Sequence, residues 1–134
     1  RLNKFISIRN FNKKKIILNM KKNRIINKKI DFYYENKNVT PSWFGLPIKI
    51  LINKKKYKDM IIKKLEKNGI ETRPIISGNF ADQPAAKKYK LTSNNNFPNT
   101  DFVYNNSFFI GLPTKKIDNK YLKKIVLAFE NSFK

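Results

Sequence analysis

A chain of 134 residues, 40% hydrophobic and 13% aromatic, is long and apolar enough for one domain with a real core. It has no Cys and no His, which excludes disulfides and thiolate metal sites and removes the commonest general base. The net charge of +21 invites a nucleic-acid reading, but only four of the 30 basic residues are Arg; the bias to Lys, Asn and Ile reads as compositional drift on tolerant surfaces, which disfavours nucleic acid as the partner.

Residues 1–30 hold eleven basic residues and no acid. Leu2, Phe5, Ile6, Ile8 and Phe11 recur at helical spacing, and Ile16, Ile17 and Met20 continue it, which predicts a long helix from Leu2 to Asn23. Such a helix could lie on a membrane, but packing one face on its own protein is the commoner outcome and is the one expected here. Val39 to Ile52 is punctuated by Pro41, Gly45 and Pro47, then alternates as Ile48, Ile50 and Ile52, so a strand is expected. Asn53 is the expected cap of a helix through Lys67 with Tyr57, Met60, Ile61 and Leu65 on one face, stopped by Asn68-Gly69.

Ile70 to Ile76 reads as a second strand broken by Pro74, followed by a Ser77-Gly78-Asn79 loop. Pro84 to Tyr89 fits a short helix with Pro in its first turn. Leu91 to Thr100 is polar and Asn-rich, hence loop-like. Phe102 to Ile110 is the expected third strand, closed by Gly111-Leu112-Pro113. A last helix, Asp118 to Phe133, turns Ile117, Tyr121, Ile125, Ala128 and Phe129 inward and packs beside the Asn53 helix. The order predicts an α/β (α+β) fold: a three-stranded sheet covered by helices mainly on one face, with a long N-terminal helix.

Three clusters stand out. In Gly69–Asn79, Arg73 is the only Arg after residue 24, and Glu71, two positions before it, shares its face on a strand. An exposed ion pair of no consequence and a functional pair weigh about equally there. Pro41–Pro47 holds the single Trp, Trp43, beside Phe44; these aromatics suit a ring-binding wall, although a core role is commoner. Phe97–Asp101 is a turn whose bland reading is structural. Dinucleotide loops, phosphate loops, metal clusters and catalytic acid pairs are missing from the sequence, so the chain looks like part of a site.

These clusters resemble the DegT/StrS family of pyridoxal-phosphate enzymes, which act on nucleotide-linked sugars and share the aspartate-aminotransferase-like fold. The resemblance runs through Pro41-Ser42-Trp43-Phe44-Gly45, Asn68-Gly69-Ile70-Glu71-Thr72-Arg73-Pro74, Gly78-Asn79-Phe80 with Gln83-Pro84, Pro98-Asn99-Thr100-Asp101, and Asn106 to Gly111. Arg1 to Arg9 is similar to the start of the helix joining the family's two domains. Common aminotransferases of the family carry a His-rich segment where this chain has Ser77-Gly78-Asn79-Phe80, so the wording is closer to the 3-dehydratase branch. That branch removes the C3 hydroxyl of an NDP-4-keto-6-deoxyhexose with pyridoxamine phosphate, and a His replaces the Schiff-base Lys.

The resemblance implies a division into 1–38, interdomain helix and connector, and 39–134, C-terminal small domain. The large cofactor domain is outside the chain, which begins at Arg1 and reads as a fragment. Pyridoxal or pyridoxamine phosphate and every catalytic residue would then be held upstream, and no metal is expected. Glu71 and Arg73 would reach the nucleotide-sugar, and Trp43, Phe44, Asn79 and Phe80 would line its entrance. The implied enzyme is a cytoplasmic homodimer making deoxysugars for lipopolysaccharide. An aminotransferase of the same family and a basic nucleic-acid-binding module are the alternatives.

Overall fold

The structure, a computed structural model, describes residues 1–52, 56–75, 78–91 and 96–134. Helix α1 spans Leu2–Lys22 and ends where Asn23 caps the short α2, Arg24–Asn27, its side chain accepting from Ile25 N and Ile26 N. Strand β1 is Ile30–Phe32, β2 Gly45–Ile50, β3 Thr72–Pro74 and β4 Ser107–Gly111. Helices α3 (Tyr57–Lys67), α4 (Pro84–Lys88), α5 (Pro98–Asn106) and α6 (Asn119–Ser132) complete the order, with a 3-10 turn at Phe80–Asp82.

All pairings in the sheet are antiparallel, in the order β1-β2-β4-β3. The register sets Ile30 opposite Ile50, Phe32 and Phe108 opposite Ile48, and Ile110 opposite Leu46. Directly opposed residues share a face, so these residues make one apolar sheet face. It closes against Ile16 and Met20 of α1, Ile26 of α2, Ile61 and Leu65 of α3, and Leu122, Ile125 and Phe129 of α6, all buried. Helices α3 and α6 pack side by side, as expected.

Two prolines fit this sheet for physical reasons. Pro74 sits on the edge strand β3, where no further neighbour needs its missing donor. Pro47 is central, but its carbonyl faces β1, where it accepts from Tyr33 N at 3.4 Å, so no bond to β4 is lost.

The fold differs from the sequence expectations in particular places. The described residues form four strands rather than three, because β1 pairs with β2; three residues are too few to leave a periodic signal. Phe102–Ile110 is not one strand. Its first half completes α5, which starts with Pro98 in its first turn, and only Ser107–Gly111 is extended. The second strand shrinks to Thr72–Pro74. Tyr121 turns outward and Leu122 takes its place in the core: Ile117 lies outside α6 and does not set its phase, and Leu122, Ile125 and Phe129, three and four residues apart, make the buried stripe. Met60 is exposed. Leu2, Phe5 and Phe11 are exposed as well, because α1 meets the core only from its middle onward. The expected Asn53 cap, Ile76 and Ser77, and residues 92–95 of the Asn-rich segment lie outside the described residues.

Candidate functional site

The sheet has a second face, away from the core. Register puts Phe109 between Pro47 on β2 and Arg73 on β3, so these three side chains form one row across that face. Phe44 meets Phe109 edge-on, with ring centroids 5.2 Å apart and planes at 79°. Pro41, Trp43, Phe44, Pro47, Ile75 and Phe109 line an apolar trough of about 370 Å³. Gly45 is required at its floor, because a β-carbon there would overlap the Phe109 ring. Phe44 also borders a neighbouring cavity of about 420 Å³ that includes Glu71 and Tyr121.

Arg73 lies at the rim of this face. Its Nη2 and Nε donate to Glu71 Oε1 at 2.6 and 3.1 Å. The two side chains are 67% and 75% exposed, so the pair adds little to stability. Its consequence is positional: the guanidinium fork is held on one carboxylate oxygen, in water, next to the aromatic trough.

Four of the six expected site residues, Trp43, Phe44, Glu71 and Arg73, therefore gather around Phe44 and Phe109. Asn79 and Phe80 do not line the trough. Asn79 is buried, and its side chain is already engaged: Nδ2 donates to Asp101 Oδ1 at 2.7 Å, and Oδ1 accepts from Ala81 N at 3.0 Å. It ties the 3-10 turn to the start of α5. Phe80 is exposed. Gly78 beside them has φ +56° and is pressed against the Tyr104 ring, which leaves no room for a side chain.

Sequence reasoning missed Phe109, Lys13 and Glu35. Phe109 was inside an expected strand, and the alternation Phe108 inward, Phe109 outward was the signal for it. Lys13 carried no signal, since a Lys on a basic helix is ordinarily solvated. In the structure it is buried, ion-paired with Glu35, and its Nζ stands 3.9 Å from the Trp43 ring centroid. That pairing holds the Glu35 carboxyl below the usual carboxylate range.

A pyridoxal phosphate needs a lysine or equivalent, a phosphate cradle and an acid at the ring nitrogen. Lys58 is the described lysine whose ammonium is destabilised by burial. It donates to the Tyr104 carbonyl in a polar groove of about 660 Å³ that also holds Asp59 and Asp101. Those two carboxylates offset the charges of Lys56 and Lys58, so the groove offers a phosphate no net positive cradle. Among the described residues no group of three or more His, Cys, Asp or Glu could hold a metal ion. No described helix is long and apolar enough to cross a membrane.

Comparison with known proteins agrees with the geometry. Residues 1–130 match the profile of the DegT/DnrJ/EryC1/StrS aminotransferase family. The chain is 34% identical over 71 residues, 52% of its length, to GDP-4-keto-6-deoxy-D-mannose 3-dehydratase of Escherichia coli O55:H7. It is 31% identical over 93 residues, 69% of its length, to the lipopolysaccharide biosynthesis protein RfbH of Salmonella typhimurium. It spans only 18% and 21% of those two relatives. The solved Escherichia coli GDP-4-keto-6-deoxy-D-mannose 3-dehydratase with bound hydrated pyridoxal phosphate superposes with a TM-score of 0.75 at 25% identity, covering 95% of this chain and 31% of that one. That likeness bears out the expected fold.

Proposed function

This chain belongs to the DegT/DnrJ/EryC1/StrS aminotransferase family, and on that premise we propose that it is the C-terminal part of an enzyme dependent on pyridoxal or pyridoxamine phosphate that removes the 3-hydroxyl of an NDP-4-keto-6-deoxyhexose for lipopolysaccharide sugars. The carrying observation is the open sheet face, where an apolar aromatic trough adjoins an exposed Arg fork. A nucleotide-sugar presents flat rings and a diphosphate, and this face offers a partner for each. The relative named as a GDP-4-keto-6-deoxy-D-mannose 3-dehydratase supports that substrate class.

The chain's own residues bind and orient. Arg73 would leave Glu71 for the diphosphate, since its fork suits paired anionic oxygens. Trp43, Phe44 and Phe109 would hold a ring and exclude water from it. Glu71 would take sugar or ribose hydroxyls. The cofactor, held mainly by the rest of the enzyme, would hold in delocalised form the electron pair that expels the C3 hydroxyl, which leaves with the C3–O electrons. Asn79 and Phe80 would shape the entrance, Asn79 through its hold on α5. Residues 1–38 would join the two domains, residues 39–134 would form the small domain, and the enzyme would act as a cytoplasmic homodimer.

The family's description as aminotransferases supports a second reading, transfer of an amino group to the same 4-keto sugar. The reading frame N-terminal to Arg1 separates the two. A cofactor domain with a His at the Schiff-base position supports dehydration, and one with a Lys supports transamination. An unrelated domain there would overturn both.

A further inference from the structure

Lys13 is the buried charge that the binding face does not explain. It is 3% exposed in a chain whose other lysines mostly meet solvent. A buried ammonium is costly unless paired, and a Leu at the same helical position would pack without that cost. The ammonium is paired twice, with Glu35 and with the face of the Trp43 indole, 3.9 Å from its centroid. The Tyr34 ring lies further off, at 5.8 Å.

Trp43 is the telling partner. Its Nε1 is buried and has no hydrogen-bond acceptor among the described residues. A buried indole is ordinarily oriented by that N–H. Here no described residue accepts from that N–H, so the plane of the ring is set by what lies on its faces. The cation is the directional contact among them. Glu35 in turn fixes the cation, so α1, the connector between β1 and β2, and the trough wall are joined at one point.

We propose that Lys13 is the positioning residue of the apolar trough, fixing the plane of the Trp43 indole and so the width of the wall that a ligand ring meets. The ligand clause rests on the reading of the trough given above; the positioning clause does not. An exchange of Lys13 that keeps the cation keeps the wall, and one that removes it frees the ring.

Trp43 is the single tryptophan, so tryptophan fluorescence reports this one site. We would compare the full chain with Lys13→Met, Lys13→Arg and Glu35→Gln, checking each fold by far-UV circular dichroism. Lys13→Met should raise acrylamide quenching of Trp43 at least about twofold and shift its emission maximum by several nanometres, because the cation no longer holds the ring. Lys13→Arg should restore both towards native values, and Glu35→Gln should fall between. A folded Lys13→Met whose emission and quenching match the native chain would overturn the proposal, even if its melting temperature falls. Should Lys13→Met not fold, Glu35→Gln decides: intermediate quenching supports the clamp, and native quenching overturns it. Titration of GDP-mannose into the native chain reads the ligand clause separately. Quenching of Trp43 supports it; no response would sink the ligand clause alone, while the variants continue to test the clamp.

Discussion

Arg73 and Glu71 illustrate how a weak ion pair can matter. Their exposure makes them nearly neutral for stability, so a substitution there should be read in function rather than in folding. In the complete enzyme, Arg73→Gln should raise KM for the nucleotide-sugar by about 10- to 100-fold, the loss of one charge-assisted fork, with kcat changed by less than about threefold. Steady-state kinetics check this, and an unchanged KM would remove Arg73 from the binding face. Glu35 gives a pH signature. The Lys13 ammonium holds its carboxyl below the ordinary value, helped by a backbone hydrogen bond and by the charge of Lys14. A depressed carboxylate stabilises the fold above its unfolded value, about 4.3, and that contribution is lost as pH falls through the folded value. Trp43 emission should therefore stay flat from about pH 8 to about pH 5 and change only below about pH 4, and Glu35→Gln should abolish that acid limb. At this scale the sequence pointed to Arg73 and Trp43 by their rarity. Lys13 was hidden, because burial is a property of the packed chain and not of the residue type.

Among the elements, α1 is tied to the C-terminal segment by three hydrogen bonds of one side chain, beside its packing in the core. Asn12 is fully buried; its Nδ2 donates to the carbonyls of Pro113 and Lys115 at 3.0 and 2.9 Å, and its Oδ1 accepts from Ile117 N at 3.1 Å. Asn12→Ala strands the buried Ile117 N–H and should cost about 2–3 kcal/mol, measured by urea unfolding. Lys15 adds a bond from its Nζ to the Ile117 carbonyl, at 3.1 Å, which Asn12→Ala leaves in place. Elements with long periodic stripes, α1, α3 and α6, were readable from sequence. Helix α5 was not, because aromatic Phe102 and Tyr104 suggested a strand while Pro98 and Asp101 already marked a helix start. Strand β1 was lost because Ile30 and Phe32 alone make no pattern. Tyr121 was misplaced by one residue because its spacing from Ile117 is helical but Ile117 lies outside α6.

For the molecule as a whole, the sheet divides labour between its faces. One face builds the core with α1, α3 and α6. The other presents Arg73, Phe109 and the trough to whatever meets it. Trp43, Phe44, Glu71 and Arg73, which lie on or beside this second face, stood out in the sequence because they sit in segments that resemble a family. The register that assembles them was not readable, since it depends on β3 finding β4 across more than thirty residues. Under the proposed function, this chain recognises substrate and the cofactor is anchored elsewhere. Titrating pyridoxal phosphate into the purified 134-residue chain, trapping any imine with borohydride and locating it by mass spectrometry, tests that most directly. We predict scattered, substoichiometric labelling of surface lysines with no saturable site. One saturable equivalent on a single lysine, Lys58 above all, would contradict it.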